Sequence, residues 1–301
     1  MPLRVQKVCK DRIIIPNFVP NDVEMSEIEP YWNTAQGLSQ FQFSIRKVDR
    51  KGYFDVSDIP QTSLPFYTFA YLTEGEILLE VEGTTGHCKA GEIIMIPART
   101  PFRILYFNQN TGFECGFSVR MLKDPSYPCL HNPHALLQTL TAEEAHFTTL
   151  LLEELMKAFQ QKNQQLVAST LDLFLCRITA PGGHPGNPIV NHFLEMVFDR
   201  SQKPGKVTTY ADALCITPNY LNRLVRSQTG HSAMDWIEIS RLNIAKLLLK
   251  QNELQIAEIA AATGIDDQSY FTRFFKKSEG CTPSQYRDRL LKGMKSPDET
   301  R

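Results

Sequence analysis

No apolar run in these 301 residues approaches the roughly 20 residues that a membrane span requires. The opening stretch, "MPLRVQKVCKDRIIIPNFVP", holds only the short run Ile13 to Ile15, so no secretory signal is read there and the expected location is cytoplasmic, with no membrane partner. Cysteine is present, but the patterns that give it chemistry are missing. Cys9, Cys88, Cys115, Cys129, Cys176, Cys215 and Cys281 are odd in number, widely spaced and without a CxxC. That excludes a disulfide frame and a zinc site, and leaves buried, inert thiols as the expectation. No glycine-rich phosphate loop occurs, because "APGGHPG" does not lead from a strand into a helix. No nucleophile elbow occurs either, since "TEGEI" and "KAGEI" lack the serine. The reading is therefore not an enzyme, with no cofactor.

The chain is long enough for two domains, each with its own core. Its net charge of −1 conceals an asymmetry, with residues 187–301 at +3 and residues 1–186 at −4. A mildly basic C-terminal part is compatible with nucleic acid without requiring it. Three Gly and three Pro in "APGGHPGNP" (180–188) break any helix or central strand and mark a boundary. The domains read as 1–180, a linker over 181–187, a second domain over 188–292, and a polar, disordered tail over 293–301.

Before the boundary, "YTFAYLTEG", "EILLEVEG", "EIIMIPA" and "FRILYF" are β-branched or aromatic runs, punctuated by Gly75, Gly83, Gly91, Pro97 and Pro101. They predict short strands in an antiparallel barrel or sandwich. A helical period follows over 141–160. Thr141 and Glu144 make a capping box, and Phe147, Leu150, Leu151, Leu155 and Phe159 share a face. With "NQQLVASTLDLFLCRI" behind it, this gives a helical pair over about 141–178, which either docks on the strands or pairs with a second subunit. After the boundary, helices are expected over 188–201, 209–215, 218–228, 233–250, 255–262, 267–278 and 283–291. Thr217-Pro218, Ser232 and Thr282-Pro283 give start signals, and Gly230 and Gly280 give stops.

This C-terminal part repeats itself at a shift of 50 residues. "YLNRLVRSQTG" (220–230) lies on "YFTRFFKKSEG" (270–280), and Trp236 falls on Tyr286. Each copy follows a short helix and a tight turn, so two helix-turn-helix units are expected, joined by "SAMDWIEISRLNIAKLLLK". In the second copy Tyr270, Phe271, Phe274 and Phe275 form the apolar stripe and are expected in the core. The other face carries Gln268, Ser269, Thr272, Arg273 and Lys276; in the first copy it carries Asn219, Asn222, Arg223 and Arg226. Arg suits guanine O6/N7 and Asn or Gln suits adenine N6/N7, so these nine residues are the candidate DNA-binding set. Two such helices could enter successive major grooves, ~34 Å apart, and one subunit would read two boxes.

These residues resemble the AraC/XylS family of bacterial transcription regulators. The similarity is densest in "AKLLLKQNELQIAEIAAATGIDDQSYFTRFFKKSEGCTPSQYR" (245–287) and covers roughly 187–291. More weakly, "GTTGHCKAGEIIMIPARTPFRI" (83–104) is similar to the cupin-like sensor barrel that many members carry. The resemblance implies a mainly β cupin-like barrel with a following helical pair, then an all-α double helix-turn-helix domain. It implies promoter or operator DNA and RNA polymerase as partners, a small-molecule effector in the barrel, and a homodimer through 141–178. Its base-contacting places fall on Asn219, Asn222, Arg223, Gln268, Ser269, Thr272 and Arg273, and Thr208, Thr217 and Thr282 are phosphate candidates. This sequence departs from its own repeat at one place: Cys215 stands where the second unit has Gly264, and the turn is one residue shorter.

Metal-dependent cupins need two or three His plus a Glu, and His87 is the only His in the strand region, so no metal site is expected; His131, His134 and His146 follow the strands. Pocket candidates are Arg46, Phe69, Tyr71 and Arg103, with Phe66, Tyr67 and Tyr106 behind them. Arg46 stands out because an inward Arg in "FQFSIRKVDR" needs an anionic partner. Residues 1–35 are read as an arm over the pocket or the other domain. Two rival functions stay open: an interaction module whose helix-turn-helix units touch protein and have no operator, and a cupin-type binding protein or enzyme. Activator against repressor is not encoded in composition.

Overall fold

The computed structural model describes residues 42–49, 61–123, 125–178 and 187–293. The expected N-terminal arm, linker residues 181–186 and the tail from 294, together with Cys9, lie outside them. The chain divides into two compact units, the second made chiefly of the residues after 185.

The first unit is built on seven strands: β1 (Phe43–Asp49), β2 (Thr62–Ser63), β3 (Tyr67–Val81), β4 (Thr84–Lys89), β5 (Glu92–Ile96), β6 (Pro101–Phe117) and β7 (Leu136–Thr139). Their order is β1-β6-β3-β5-β7, with β2 added to β6 and β4 to β3. The ladders of β1, β2 and β3 with β6, and of β5 with β3 and β7, are antiparallel. The expected antiparallel β unit is present, and the sheet does not close into a barrel among the described residues.

Two runs read as separate strands are one. β3 continues through Gly75, where the β3–β6 register shifts instead of turning. Gly75 has φ +79°, and a Cβ there would lie 2.2 Å from the Asn108 carbonyl oxygen. Only glycine fits this bulge, which bends the strand without ending it.

Alternation sends Phe43, Ile45, Phe69, Tyr71, Ile93, Met95, Phe113, Cys115 and Phe117 into one core. Helices α2 (Ala142–Gln160) and α3 (Gln164–Arg177) supply Leu152, Leu155, Ala158, Val167, Leu171 and Phe174 to the same core; a short helix α1 (Pro128–His131) precedes them. Phe69 stacks on Phe174 with centroids 4.4 Å apart. The Thr141–Glu144 capping box is present at the head of α2. The buried side of α2 is rotated from the one expected, because Thr148, Leu152, Leu155 and Ala158 are inside while Leu150 and Phe159 are exposed.

Over residues 187–293 the second unit is built of helices: α4 (Pro188–Phe198), α5 (Val207–Ala213), α6 (Pro218–Thr229), α7 (Ala233–Gln251), α8 (Ile256–Ala262), α9 (Gln268–Glu279) and α10 (Pro283–Gly293). α7 is the spine and buries Trp236, Ile237, Ala245 and Leu249. Phe198 of α4 meets Trp236 edge-on at 6.1 Å, and Trp236 Nε1 donates to Thr229 Oγ1 at 3.0 Å. Four cysteines (Cys88, Cys115, Cys129 and Cys281) are buried as expected, but Cys176 and Cys215 are exposed. Among the described residues no helix is long and apolar enough to cross a membrane.

Candidate nucleic-acid interface

α5 and α6, and then α8 and α9, form the two helix-turn-helix units, with α7 between them. In each unit the second helix is fixed at both ends. Thr217 accepts from the Tyr220 N–H at 3.3 Å and Pro218 sits at the first helical position of α6. Asp267 accepts from the Tyr270 N–H at 2.9 Å at the head of α9. The N–H groups of Tyr270 and Ser269 hold the Asp267 carboxyl below its usual pKa, with Arg273 adding to the effect. Both helices end on left-handed glycines, Gly230 and Gly280, as the sequence predicts.

The core side of each helix is narrow. Leu221 and Val225 in α6, and Phe271 and Phe275 in α9, are fully buried. Tyr270 is 47% exposed and its repeat partner Tyr220 is 39% exposed, while Phe274 is half-buried. The expected four-aromatic core stripe is thus two residues wide. The two tyrosines join the polar faces instead, and the Arg223 guanidinium lies 5.4 Å from the centre of the Tyr220 ring.

The candidate DNA-binding residues fall as follows. Asn219, Arg223 and Arg226 on α6, and Gln268, Ser269, Arg273 and Lys276 on α9, are exposed. Thr272 is half-buried and donates to the Gln268 carbonyl at 2.9 Å. Asn222 is half-buried and its Oδ1 accepts from the Ala233 N–H at 3.0 Å, which ties α6 to the head of α7. Of the phosphate candidates, Thr208 is exposed in the first turn of α5, Thr217 caps α6, and Thr282 accepts from the Gln285 N–H at 3.3 Å. The repeat's one departure has a steric cause. Cys215 and Gly264 both adopt positive φ, +55° and +74°. A Cβ on Gly264 would lie 2.3 Å from the Pro204 carbonyl oxygen, whereas Cys215 is exposed.

In the first unit the four effector candidates are engaged by the unit itself. Arg46 stands opposite Glu114 across β1 and β6, and its Nε donates to that carboxylate at 2.9 Å. Arg103 pairs with Glu80 at 2.6 Å. Phe69 is in the core, and the buried Tyr71 donates its hydroxyl to the Ala145 carbonyl at 3.0 Å. A cavity of about 170 Å³ lies between the sheet and the helix pair, lined by Ile93, Gln138, Thr148, Phe174 and Arg177 among others, and none of the four lines it. Sequence reasoning missed a buried polar cluster on three neighbouring strands. His87 Nε2 lies 2.8 Å from Glu76 Oε2, and the Tyr106 hydroxyl donates to Glu76 Oε1 at 3.4 Å. Burial, and then the Glu76 carboxylate, push the Tyr106 phenol above its usual pKa. Among the described residues no three His, Cys, Asp or Glu side chains gather to hold a metal ion.

A helix-turn-helix domain family matches residues 210–289, the stretch that carries both units. The arabinose operon regulatory protein of Salmonella typhimurium is 24% identical over 263 residues, covering 80% of this chain and 90% of its own. The double helix-turn-helix stretch over residues 210–289 is of the type found in AraC/XylS transcription regulators. The transcriptional activator RhaR of Yersinia pseudotuberculosis is 39% identical to this chain over 77 residues, 26% of the chain and 27% of RhaR. The crystal structure of ToxT from Vibrio cholerae matches over 84% of this chain and 98% of its own, at 18% identity and a TM-score of 0.31, a likeness too loose to bear on arrangement. These sequence relatives are regulators of transcription.

Proposed function

We propose that this chain binds a promoter or operator through α6 and α9, reads two short boxes with one subunit, and contacts RNA polymerase from the bound position. What carries the reading is repetition: two capped helices, 50 residues apart in sequence, each present an exposed face of amide, hydroxyl and cationic groups. Asn219 and Arg223 in the first helix, and Gln268, Ser269 and Arg273 in the second, are the proposed base readers. Arg226, Lys276, Thr208, Thr217 and Thr282 are proposed to meet the phosphates. Asn222 and Thr272 are proposed to work at closer range, since each already holds a bond inside the domain.

The test is footprinting of the purified protein on the DNA upstream of its own gene at two salt concentrations. Protection confined to one stretch, weakening but not moving with salt, is expected. Only unlocalised binding that vanishes with salt would favour the interaction-module reading. Arg273→Ala is expected to cost ~1–3 kcal/mol of binding and to relax specificity at one base pair. Wild-type affinity of that variant for both operator and scrambled DNA would remove Arg273 from the readers.

The first unit is proposed as a cupin-like sensor for a small-molecule effector. The buried Glu76–His87–Tyr106 cluster supports this, because polar groups inside a β unit are placed there at a cost that packing alone does not require. An effector that reached Arg46 or Arg103 would have to displace Glu114 or Glu80. A homodimer through the helix pair is supported by the exposed Leu150 of α2 and by Leu166 and Leu173 of α3, which lie one heptad apart. Leu173→Glu is expected to shift the sedimentation of a dimer to that of a monomer; an unchanged sedimentation coefficient would take the dimer contact off α3.

A further inference from the structure

We propose that Arg241 clamps the two helix-turn-helix units together, so that the protein reads its two DNA boxes at a single spacing. The inference rests on the DNA-binding reading above and adds what fixes the distance. Arg241 lies on α7 and is only 7% exposed. Its Nη2 donates to the Gly205 carbonyl at 3.0 Å and to the Pro204 carbonyl at 3.4 Å, in the loop that leads into the first unit. Tyr210 of α5 holds the same loop, its hydroxyl accepting from the Gly205 N–H at 3.0 Å.

The other side of this loop touches the second unit. Gly264, in the turn between α8 and α9, stands so close to Pro204 that a Cβ on it would lie 2.3 Å from the Pro204 oxygen and 3.8 Å from Arg241 Nη2. The entry of one unit, the turn of the other and one guanidinium therefore meet at one seam. Arg241 makes no salt bridge among the described residues, and its Nε is buried without a hydrogen-bond partner. A charge buried for stability alone is readily replaced by an apolar side chain. Here the guanidinium fork instead places two backbone carbonyls relative to the connecting helix. That makes Arg241 a positioning residue: it touches no base but sets where α6 stands relative to α9.

If α7 by itself sets the separation, Arg241 is dispensable to spacing, and selection experiments distinguish the two cases. The full-length protein, Arg241→Met and Arg241→Lys would each be used to select binding sites from a random duplex library. The wild type is expected to return two boxes at one spacing. Arg241→Met is expected to return the same boxes with spacings spread over neighbouring base pairs, and to bind the wild-type optimum about tenfold more weakly. Arg241→Lys, which still reaches one carbonyl, is expected to narrow the spread. A single, unchanged spacing and unchanged affinity for Arg241→Met would overturn the proposal. If circular dichroism shows that variant unfolded, Gly264→Ala approaches the seam from the other side and is expected to give the same spread; an unaltered spacing there overturns the proposal equally. A wild type that selects no two-box site would overturn the underlying two-box reading, and this inference with it.

Discussion

Phe275→Ala is expected to destabilise the second helix-turn-helix unit by ~3–5 kcal/mol, the cost of an aromatic-sized cavity in a closed core. Phe275 is fully buried, packs edge-on against Tyr286 at 5.3 Å and lies 6.0 Å from Phe271. Its repeat partner in the first unit is Val225, so the second unit rests on larger side chains. Hydrogen exchange should show the loss concentrated in 256–291, with α4 and α6 far less affected. Phe274→Ala is the control: its half-exposed ring should cost much less. Equal losses for the two variants would mean that the core axis of α9 runs between them, not through Phe275.

Glu279→Ala is expected to cost about 3 kcal/mol or more, because it removes the carboxylate from a buried ammonium. Lys246 of α7 is 2% exposed, and its Nζ lies 2.7 Å from Glu279 Oε1 at the end of α9. The Tyr286 ring lies 5.9 Å from the same Nζ. Joint replacement by Lys246→Met and Glu279→Leu should recover most of the loss, since apolar groups of similar size fill such a site without the desolvation cost. Urea denaturation of the two single variants and the double variant gives the coupling between them. Additive losses would show that the pair contributes nothing as a pair. At the same place in the first unit, Thr229 accepts from Trp236. Each unit thus ties the end of its second helix to a neighbouring helix, with different chemistry.

The parts of this fold that were legible in sequence are those written within a few residues. Caps at Thr141, Thr217 and Ser232, stops at Gly230 and Gly280, and the 50-residue repeat need no partner from elsewhere in the chain. The misreadings arose where distant contacts decide. A helix beginning Tyr270, Phe271 and continuing Phe274, Phe275 has an apolar stripe wider than the neighbour that covers it, and only packing shows which edge is left in solvent. Gly75 looks like a turn because the Asn108 carbonyl that demands a glycine is 33 residues away. The need of Arg46 for an anion was readable, but its identity, Glu114, was not, because strand pairing brings it there from 68 residues away. The same holds for Asn222, whose commitment to Ala233 is invisible in a helical wheel.

The heads of α6 and α9 differ in charge. α6 opens on the uncharged Thr217, whereas α9 opens on the carboxylate of Asp267, with Asp266 just before it. A carboxylate there offsets the positive end of the helix, the end that would otherwise welcome a phosphate. In the proposed complex the head of α6 would be the better seat for a phosphate. The head of α9 offers a phosphate less, and in the proposed complex that helix would rely on Arg273, Lys276 and the base edges its side chains reach. Were both helices seated on DNA as proposed, the box read by α6 would be the more sensitive of the two to salt.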